Sequence, residues 1–180
     1  MFALLKRKNP YEQSARALYA AILEHIRQPS FYEGGGVPDT LDGRFELLLL
    51  HVFFVLDPLA DEAGGNKNGL GQALFDVIFA DMDQGLRESG IGDMGIPKHM
   101  RRMMRAFNGR MHAYREAMHG SDMQAALRRN LYGTLEAVDE EVLARMDAYA
   151  SENIAVMAAL PLAHLQEGAV SFITPRFNKN

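Results

Sequence analysis

Cysteine is absent from the 180-residue chain, which excludes disulfide bonds and thiolate chemistry. Long apolar runs are also missing, because the longest, LLLLHVFFVL at residues 47–56, is far shorter than the roughly 20 residues of a membrane-spanning helix. The start, MFALLKRKNP, has too short an apolar stretch before its charges for a secretory signal. We therefore expect that any membrane-associated role is carried out from the membrane surface or through a partner.

Several catalytic and metal-binding patterns are missing as well. The glycine-rich segment AGGNKNGLG, residues 63–71, lacks the Gly-Lys-Ser/Thr ending of a phosphate-binding loop and is interpreted as a linker. The six histidines form no HxxxH or HxH pair, and no Gly-x-Ser-x-Gly motif appears. We expect no enzymatic activity, no cofactor, no specifically bound metal ion and no specific DNA binding.

Apolar residues at helical spacing predict an all-α fold. The predicted helices cover about residues 11–27, 40–56, 72–88, 97–118, 121–133 and 138–159, with loops at 29–38, 63–71 and 90–95. The second helix is apolar nearly all round, which is typical of a central core helix. We expect one domain over residues 1–180, a compact bundle of about six helices, with a C-terminal tail at 160–180 that is extended and disordered at its end.

Basic charge is concentrated in one stretch. Residues 97–129 have 8 basic and 2 acidic side chains, whereas the whole chain has a net charge of −4. On the fourth predicted helix an apolar stripe faces the core: Met100, Met103, Met104, Phe107, Met111, Tyr114 and Met118. The cations lie opposite, and with Arg110 they form the predicted partner-binding set: Lys98, Arg101, Arg102, Arg105 and Arg110. The alternative is a merely solvated face.

Polar residues also occur on the apolar faces of two predicted helices. Arg44 and His51 are seven residues apart on the second helix, and Asp81 and Glu88 have the same spacing on the third. Because an unpaired buried carboxylate is costly, we expect these four residues to form a buried charge network. The alternative is an enzyme or a cofactor- or metal-binding protein that uses a cluster of these and neighbouring residues: Arg44, His51, Asp76, Asp81 and Asp83.

Four blocks of the sequence resemble the ubiquinol-cytochrome c chaperone family. They are PDTLDGRFE at 38–46 continuing to His51, LFDVIFADMD at 74–83 followed by LRE at 86–88, GIGDMG at 90–95 through Lys98 with Met103 and FNGR at 107–110, and RNLYG at 129–133. Together they span a family-like core of about residues 30–133. The chain departs from the family pattern at Asn108, where tyrosine is usual, and at Gln84, where arginine is common.

The resemblance implies a helical chaperone that assists assembly of the ubiquinol-cytochrome c reductase (bc1) complex. The mitochondrial members bind newly made cytochrome b, work with a small partner protein and associate with the ribosome. The start of this chain is not typical of a mitochondrial presequence, so we expect a bacterial member in the cytoplasm, peripheral at the inner face of the cytoplasmic membrane. The expected partners are cytochrome b or a bc1 assembly intermediate, with the ribosome or an anionic membrane surface as further candidates for the basic helix.

Overall fold

The computed structural model of the chain describes residues 9–60, 69–120 and 122–177, and all its regular elements are helices. They are α1 Glu12–His25, α2 Ser30–Glu33, α3 Leu41–Leu56, a 3-10 turn at Asp57–Leu59, α4 Leu70–Glu88, α5 Ile96–Gly120, α6 Met123–Arg129, α7 Glu140–Ala159 and α8 Leu162–Gln166. Six of these α-helices have seven or more residues, which confirms the predicted fold class. The expectations for residues 1–8, the 63–68 part of the linker, residue 121 of the fifth predicted helix and residues 178–180 lie outside the described ranges.

The central position of α3 follows from its sequence, as predicted. The Thr40 hydroxyl accepts a hydrogen bond from the Gly43 backbone N–H at 3.1 Å, so Thr40 caps the first turn. From residue 46 to residue 55 every side chain is buried, and α3 contacts α1, α5 and α7. A helix that is apolar on all sides is stable only when other helices surround it.

Helices α1, α5 and α7 pack against α3, and α4 packs against α1 and α5. In α1 the buried residues are Ala15, Leu18, Tyr19 and Ile22, and this face lies against α4. The long helix α5 begins at Ile96 with Pro97 in its first turn, where a missing N–H costs nothing. Asp122 caps α6 by accepting a hydrogen bond from the Ala125 N–H at 3.0 Å.

Two segments before α7 differ from the sequence prediction. The predicted loop at 29–38 contains the short helix α2, which buries Phe31 completely. Helix α6 ends at Arg129 rather than near residue 133, and turns follow. There the Tyr132 hydroxyl donates a hydrogen bond to the Gly35 carbonyl oxygen at 2.6 Å, and its ring is buried. This tertiary contact fixes the turn and ends the helix earlier than local periodicity suggests.

The C-terminal region returns to the core after α7. Helix α8 contacts α1, and Gly168 then reverses the chain with φ +81°. A side chain at Gly168 would place its Cβ 2.8 Å from the Cβ of Ala17, so the close approach requires glycine. The predicted extended tail at 160–180 is wrong for Leu162–Gln166, which form α8. Residues 169–177 have no helix or strand, as expected, but Phe177 is only 1% exposed. The described part of the tail is therefore packed.

The length and composition of the helices bear on whether the described ranges can cross a membrane. None of these helices combines the length and the apolar composition that a bilayer-spanning helix needs.

Candidate docking surface

The first half of α5 has a group of exposed cations, Lys98, Arg101, Arg102 and Arg105, which we call the basic surface. None of the four forms an ion pair with an acidic side chain of the described residues. The only acidic side chain on α5 is Glu116, near the other end of the helix. The positive charge of this surface is therefore not neutralised by the described part of the chain.

Most other arginines are paired. The remaining unpaired ones among the described residues are Arg27, Arg129 and Arg176, which lie on other elements. The concentration of unpaired cations on α5 is thus a local property. The observed pairs are Arg16 with Glu12, Arg44 with Asp39, Arg87 with Asp83 and Asp93, Arg110 with Glu46, Arg115 with Asp57, Arg128 with Glu140, and Arg145 with Glu141.

Arg110, which was predicted to bind a partner, has an internal partner. Its Nε donates to Glu46 Oε2 at 2.9 Å and its Nη2 donates to Glu46 Oε1 at 2.6 Å. These hydrogen bonds raise the pKa of Arg110 above its ordinary value. Glu46 lies in the core-facing region of α3 and is only 9% exposed, so it needs a cation beside it. Arg110 therefore has a structural role, as the counter-ion of the nearly buried Glu46, and it is not part of the basic surface. Its contact with a partner stays a prediction.

Two exposed methionines lie close to the basic surface in the sequence. Met94, in the turn before α5, is 97% exposed, and Met104 is 40% exposed. The predicted core stripe is confirmed for Phe107 and Tyr114, which are buried, and for four methionines packed against the core, Met100, Met103, Met111 and Met118. The stripe prediction is wrong for Met104, which lies at one edge of the predicted arc, where the core no longer covers the helix.

The predicted charge network between α3 and α4 does not form. Arg44 is exposed and pairs with Asp39, with 2.6 Å between Nε and Oδ1, and its guanidinium lies 5.2 Å from the Tyr32 ring centroid. Asp81 is exposed and accepts a hydrogen bond from the Tyr19 hydroxyl at 2.8 Å. The Arg44 guanidinium and the Asp81 carboxylate both reach solvent, so neither group needs a buried counter-ion.

The remaining carboxylates of α4 also have local partners. Glu88 accepts a hydrogen bond from Gln84, and Asp83 pairs with Arg87, one helical turn away in each case. Asp76 accepts from Gln72. The alternative active-site cluster therefore does not assemble, and no group of three or more His, Asp or Glu side chains within the described ranges has the geometry to hold a metal ion.

His51 belongs to a different arrangement, which connects α1, α7 and α3. The Tyr149 hydroxyl lies 2.7 Å from His51 Nε2 and 2.8 Å from His25 Nε2. His51 Nδ1 lies 2.9 Å from the Leu47 carbonyl oxygen, which only accepts, so Nδ1 has the proton of a neutral ring. Tyr149 therefore donates to His51 and accepts from His25, whose Nδ1 accepts from Gln28 at 2.9 Å.

The electrostatics of this hydrogen-bond chain favour neutral rings. Burial lowers the pKa of His51 to about 3 and the pKa of His25 to about 4. Burial also raises the pKa of Tyr149. His25, His51 and Tyr149 are thus uncharged near neutral pH, and hydrogen bonds between these neutral groups link the helices.

Comparison with known proteins gives the family. Residues 33–172 match the sequence profile described as ubiquinol-cytochrome C chaperone, which is well over half of the chain. The chain belongs to this family. The crystal structure of the Cbp3 homolog from Brucella abortus superimposes with a TM-score of 0.77, at 35% sequence identity and over 91% of each chain.

A curated relative from Xenopus laevis is described as ubiquinol-cytochrome-c reductase complex assembly factor 1. It is 28% identical over 120 residues, which cover 66% of this chain and 60% of the relative. The match thus spans about three fifths of that protein's length. The family profile extends beyond the blocks at 38–133 that gave rise to the resemblance.

In this chaperone fold, residues from separate family-like blocks meet. Glu46 belongs to the block at 38–46 and Arg110 to the block at 107–110, and the two side chains form the ion pair between α3 and α5. Tyr132, in the block at 129–133, reaches Gly35 through its hydroxyl. The first contact joins α5, which has the basic surface, to α3, and the second joins the turn after α6 to the glycines after α2.

Proposed function

We propose that this protein binds cytochrome b, or a bc1 assembly intermediate that contains it, and acts as a single helical domain without catalysing a reaction. The observation that carries the proposal is family membership over residues 33–172. The curated relative is described as an assembly factor of the same complex. The alternative enzyme reading has no comparable support, because Arg44, Asp76, Asp81 and Asp83 pair with separate neighbours.

The experiment for this function is complementation in a bacterium that contains a bc1 complex. The gene of the host's own family member is deleted and this chain is supplied from a plasmid. We expect the deletion to reduce assembled bc1 complex on native gels and the haem b absorbance of membranes, and this chain to restore both. Loss of bc1 complex that this chain does not restore, despite normal expression, would contradict the proposal.

We also propose that the basic surface binds the anionic inner face of the cytoplasmic membrane. Four exposed cations without internal counter-ions attract anionic headgroups, and the adjacent Met94 and Met104 side chains are exposed apolar groups of a kind that enters the headgroup region. An RNA partner is less well matched, because the four cations are not interleaved with aromatic side chains for base stacking. Such a chaperone would be a peripheral protein on the cytoplasmic side, where newly made cytochrome b enters the bilayer.

The alternative partners of the basic surface are the client protein itself and the ribosome. The ribosome is distinguished from the membrane by a variant with Arg101 and Arg105 reversed to Glu. Loss of binding to protein-free anionic vesicles supports the membrane. Unchanged vesicle binding with lost sedimentation on ribosomes would assign the surface to the ribosome instead.

A further inference from the structure

The last nine described residues, 169–177, occupy a groove on the helical core, and we call them the tail segment. They follow α8 and have neither helical nor strand structure. The groove is formed by the end of α1, by α2 with the glycines after it, and by α7. An aromatic-lined groove that holds an extended chain is one of the ways in which proteins bind peptides.

Two aromatic side chains anchor the tail segment. The Phe172 ring centroid lies 4.8 Å from that of His25 and 5.3 Å from that of His51. The Phe177 ring centroid lies 5.7 Å from those of Phe31 and Tyr149. The walls of the groove therefore consist largely of rings, which accept other large apolar side chains at similar distances.

At the floor of the groove, Gly34 and Gly35 let the tail segment approach closely. A Cβ added to Gly34 would lie 2.5 Å from the Phe177 carbonyl oxygen, and a Cβ added to Gly35 would lie 3.0 Å from the Phe177 ring. Any larger residue at these positions would push the tail segment outward. The glycines therefore make the groove deep enough for an extended chain.

Asn153 contacts the main chain of the tail segment rather than its side chains. It is completely buried on α7, and its Nδ2 donates to the Tyr149 carbonyl oxygen at 2.8 Å. Its Oδ1 consequently faces the tail segment and accepts the Ile173 N–H at 3.1 Å. Because every residue except proline has this N–H, such a contact holds an extended segment whatever its sequence.

Few polar contacts hold the tail segment in place. Within the described residues, the bond from Ile173 to Asn153 is the hydrogen bond that fixes its backbone beyond residue 169. An open cleft of about 630 Å³ also continues from the groove beside Val170 and Phe172, with His25 and Gln28 among its walls. Segments with few backbone hydrogen bonds are those that open locally, without global unfolding.

We propose that this groove binds an extended apolar segment of the client protein, and that the tail segment is an internal occupant which the client displaces. The ring walls, the glycine floor and the backbone-accepting Asn153 suit any extended chain with spaced aromatic anchors. Segments of this kind are abundant in a membrane protein before its helices pack. The inference rests on the proposed function only for the existence of a client.

The test uses the full chain and a fluorescein-labelled synthetic peptide with the sequence of residues 169–177, AVSFITPRF. In the unmodified protein the tethered tail segment competes at an effective concentration of order millimolar, so we expect weak peptide binding. Phe177→Ala weakens the competitor and raises the open fraction, and we expect its peptide affinity to be at least about tenfold higher. Val156→Ala, at an exposed position of α7, is the matched control. A peptide with both phenylalanines replaced by serine should not bind.

Hydrogen exchange on the unmodified chain provides a second readout if Phe177→Ala does not fold. We expect the Ile173 amide to exchange through a local opening that is insensitive to low denaturant, unlike the amides of α3. Exchange of Ile173 only by global unfolding would overturn the proposal. So would a folded Phe177→Ala variant with unchanged peptide affinity, or a dimer in light scattering formed by exchange of tails between two copies. Peptide binding and hydrogen exchange do not involve cytochrome b. They can therefore fail while the complementation of the bc1 complex succeeds, and they can succeed while the complementation fails.

Discussion

Arg110 on α5 donates two hydrogen bonds to Glu46 on α3, at 2.9 Å and 2.6 Å. The pair lies at the boundary of the core, with side-chain exposures of 29% for Arg110 and 12% for Glu46. The pair joins α5, the helix that has the basic surface, to α3, the central helix of the fold. The cations of α5 are therefore held on a rigid support, which lowers the entropic cost of docking.

Replacement of Arg110 should destabilise the fold. Arg110→Ala leaves the nearly buried Glu46 carboxylate without a counter-ion, and we expect a loss of roughly 2–4 kcal/mol in the free energy of unfolding. Arg128→Ala is the control, because its pair with Glu140 is exposed and should contribute less than about 1 kcal/mol. Urea unfolding of both variants gives the comparison. Equal, small losses would show that the ion pair is not structural.

Reversal of two cations on the basic surface should weaken membrane binding without loss of stability. We expect Arg101→Glu/Arg105→Glu to bind phosphatidylglycerol vesicles at least about tenfold more weakly, since each cation near an anionic surface contributes about 1 kcal/mol. The double variant Arg27→Glu/Arg129→Glu has the same net charge and is the control. Sedimentation with vesicles at low and high salt measures the effect. Equal weakening in both variants would indicate only a response to net charge.

Asp81 should make a small contribution that depends on Tyr19. Because Asp81 is exposed and accepts one hydrogen bond from the Tyr19 hydroxyl, we expect Asp81→Ala and Tyr19→Phe each to cost about 1 kcal/mol. The double variant should cost little more than either single one. Thermal unfolding of the three variants tests this. A loss of several kcal/mol in Asp81→Ala alone would instead support a buried charge network.

The stability of the protein should fall as the pH is lowered, because His51 is buried in its neutral form. Its pKa is about 3 in the folded protein against 6.5 in an exposed chain, so the unfolded chain takes up a proton first. The stabilisation is complete above about pH 6.5 and is lost towards about pH 3, at up to roughly 1.4 kcal/mol per pH unit. Burial lowers the pKa of His25 as well, so it acts in the same direction.

Urea unfolding between about pH 7.5 and 5.5 measures this slope, in a range where ordinary carboxylates stay ionised. We expect a shallower slope in His51→Gln, whatever its absolute stability. An identical slope in the two proteins would contradict the assignment of the pH dependence to His51.

The helices and the core could be predicted because their determinants are local. The Thr40 cap, the apolar length of α3 and Pro97 at the start of α5 all act within one or two turns. The ends that were missed depend on distant residues, as where Tyr132 donates to Gly35 across 97 positions. The exposure of Lys98, Arg101, Arg102 and Arg105 follows from the width of the apolar stripe opposite them.

The polar contacts between helices could not be predicted in the same way. Matched spacing on α3 and α4 says which residues share a face, but not how far each face is rotated from the core. Asp81 and Arg44 consequently lie at solvent-exposed edges. The contact between His51 and Tyr149 joins residues 98 positions apart, and neither residue has a local pattern that indicates the other. The ion pair of Glu46, by contrast, is indicated in the sequence, because an acid directly precedes the apolar run at 47–56.

The most direct measurement of the proposed function is co-purification from native membranes after mild crosslinking. The tagged chain is expressed in a bacterium with a bc1 complex, and the bound proteins are identified by mass spectrometry and by haem b absorbance. The account predicts that cytochrome b is enriched, and that enrichment falls when the tagged chain is Arg101→Glu/Arg105→Glu at equal expression. Recovery of the chain without cytochrome b, under conditions that preserve bc1 assembly intermediates, would contradict it.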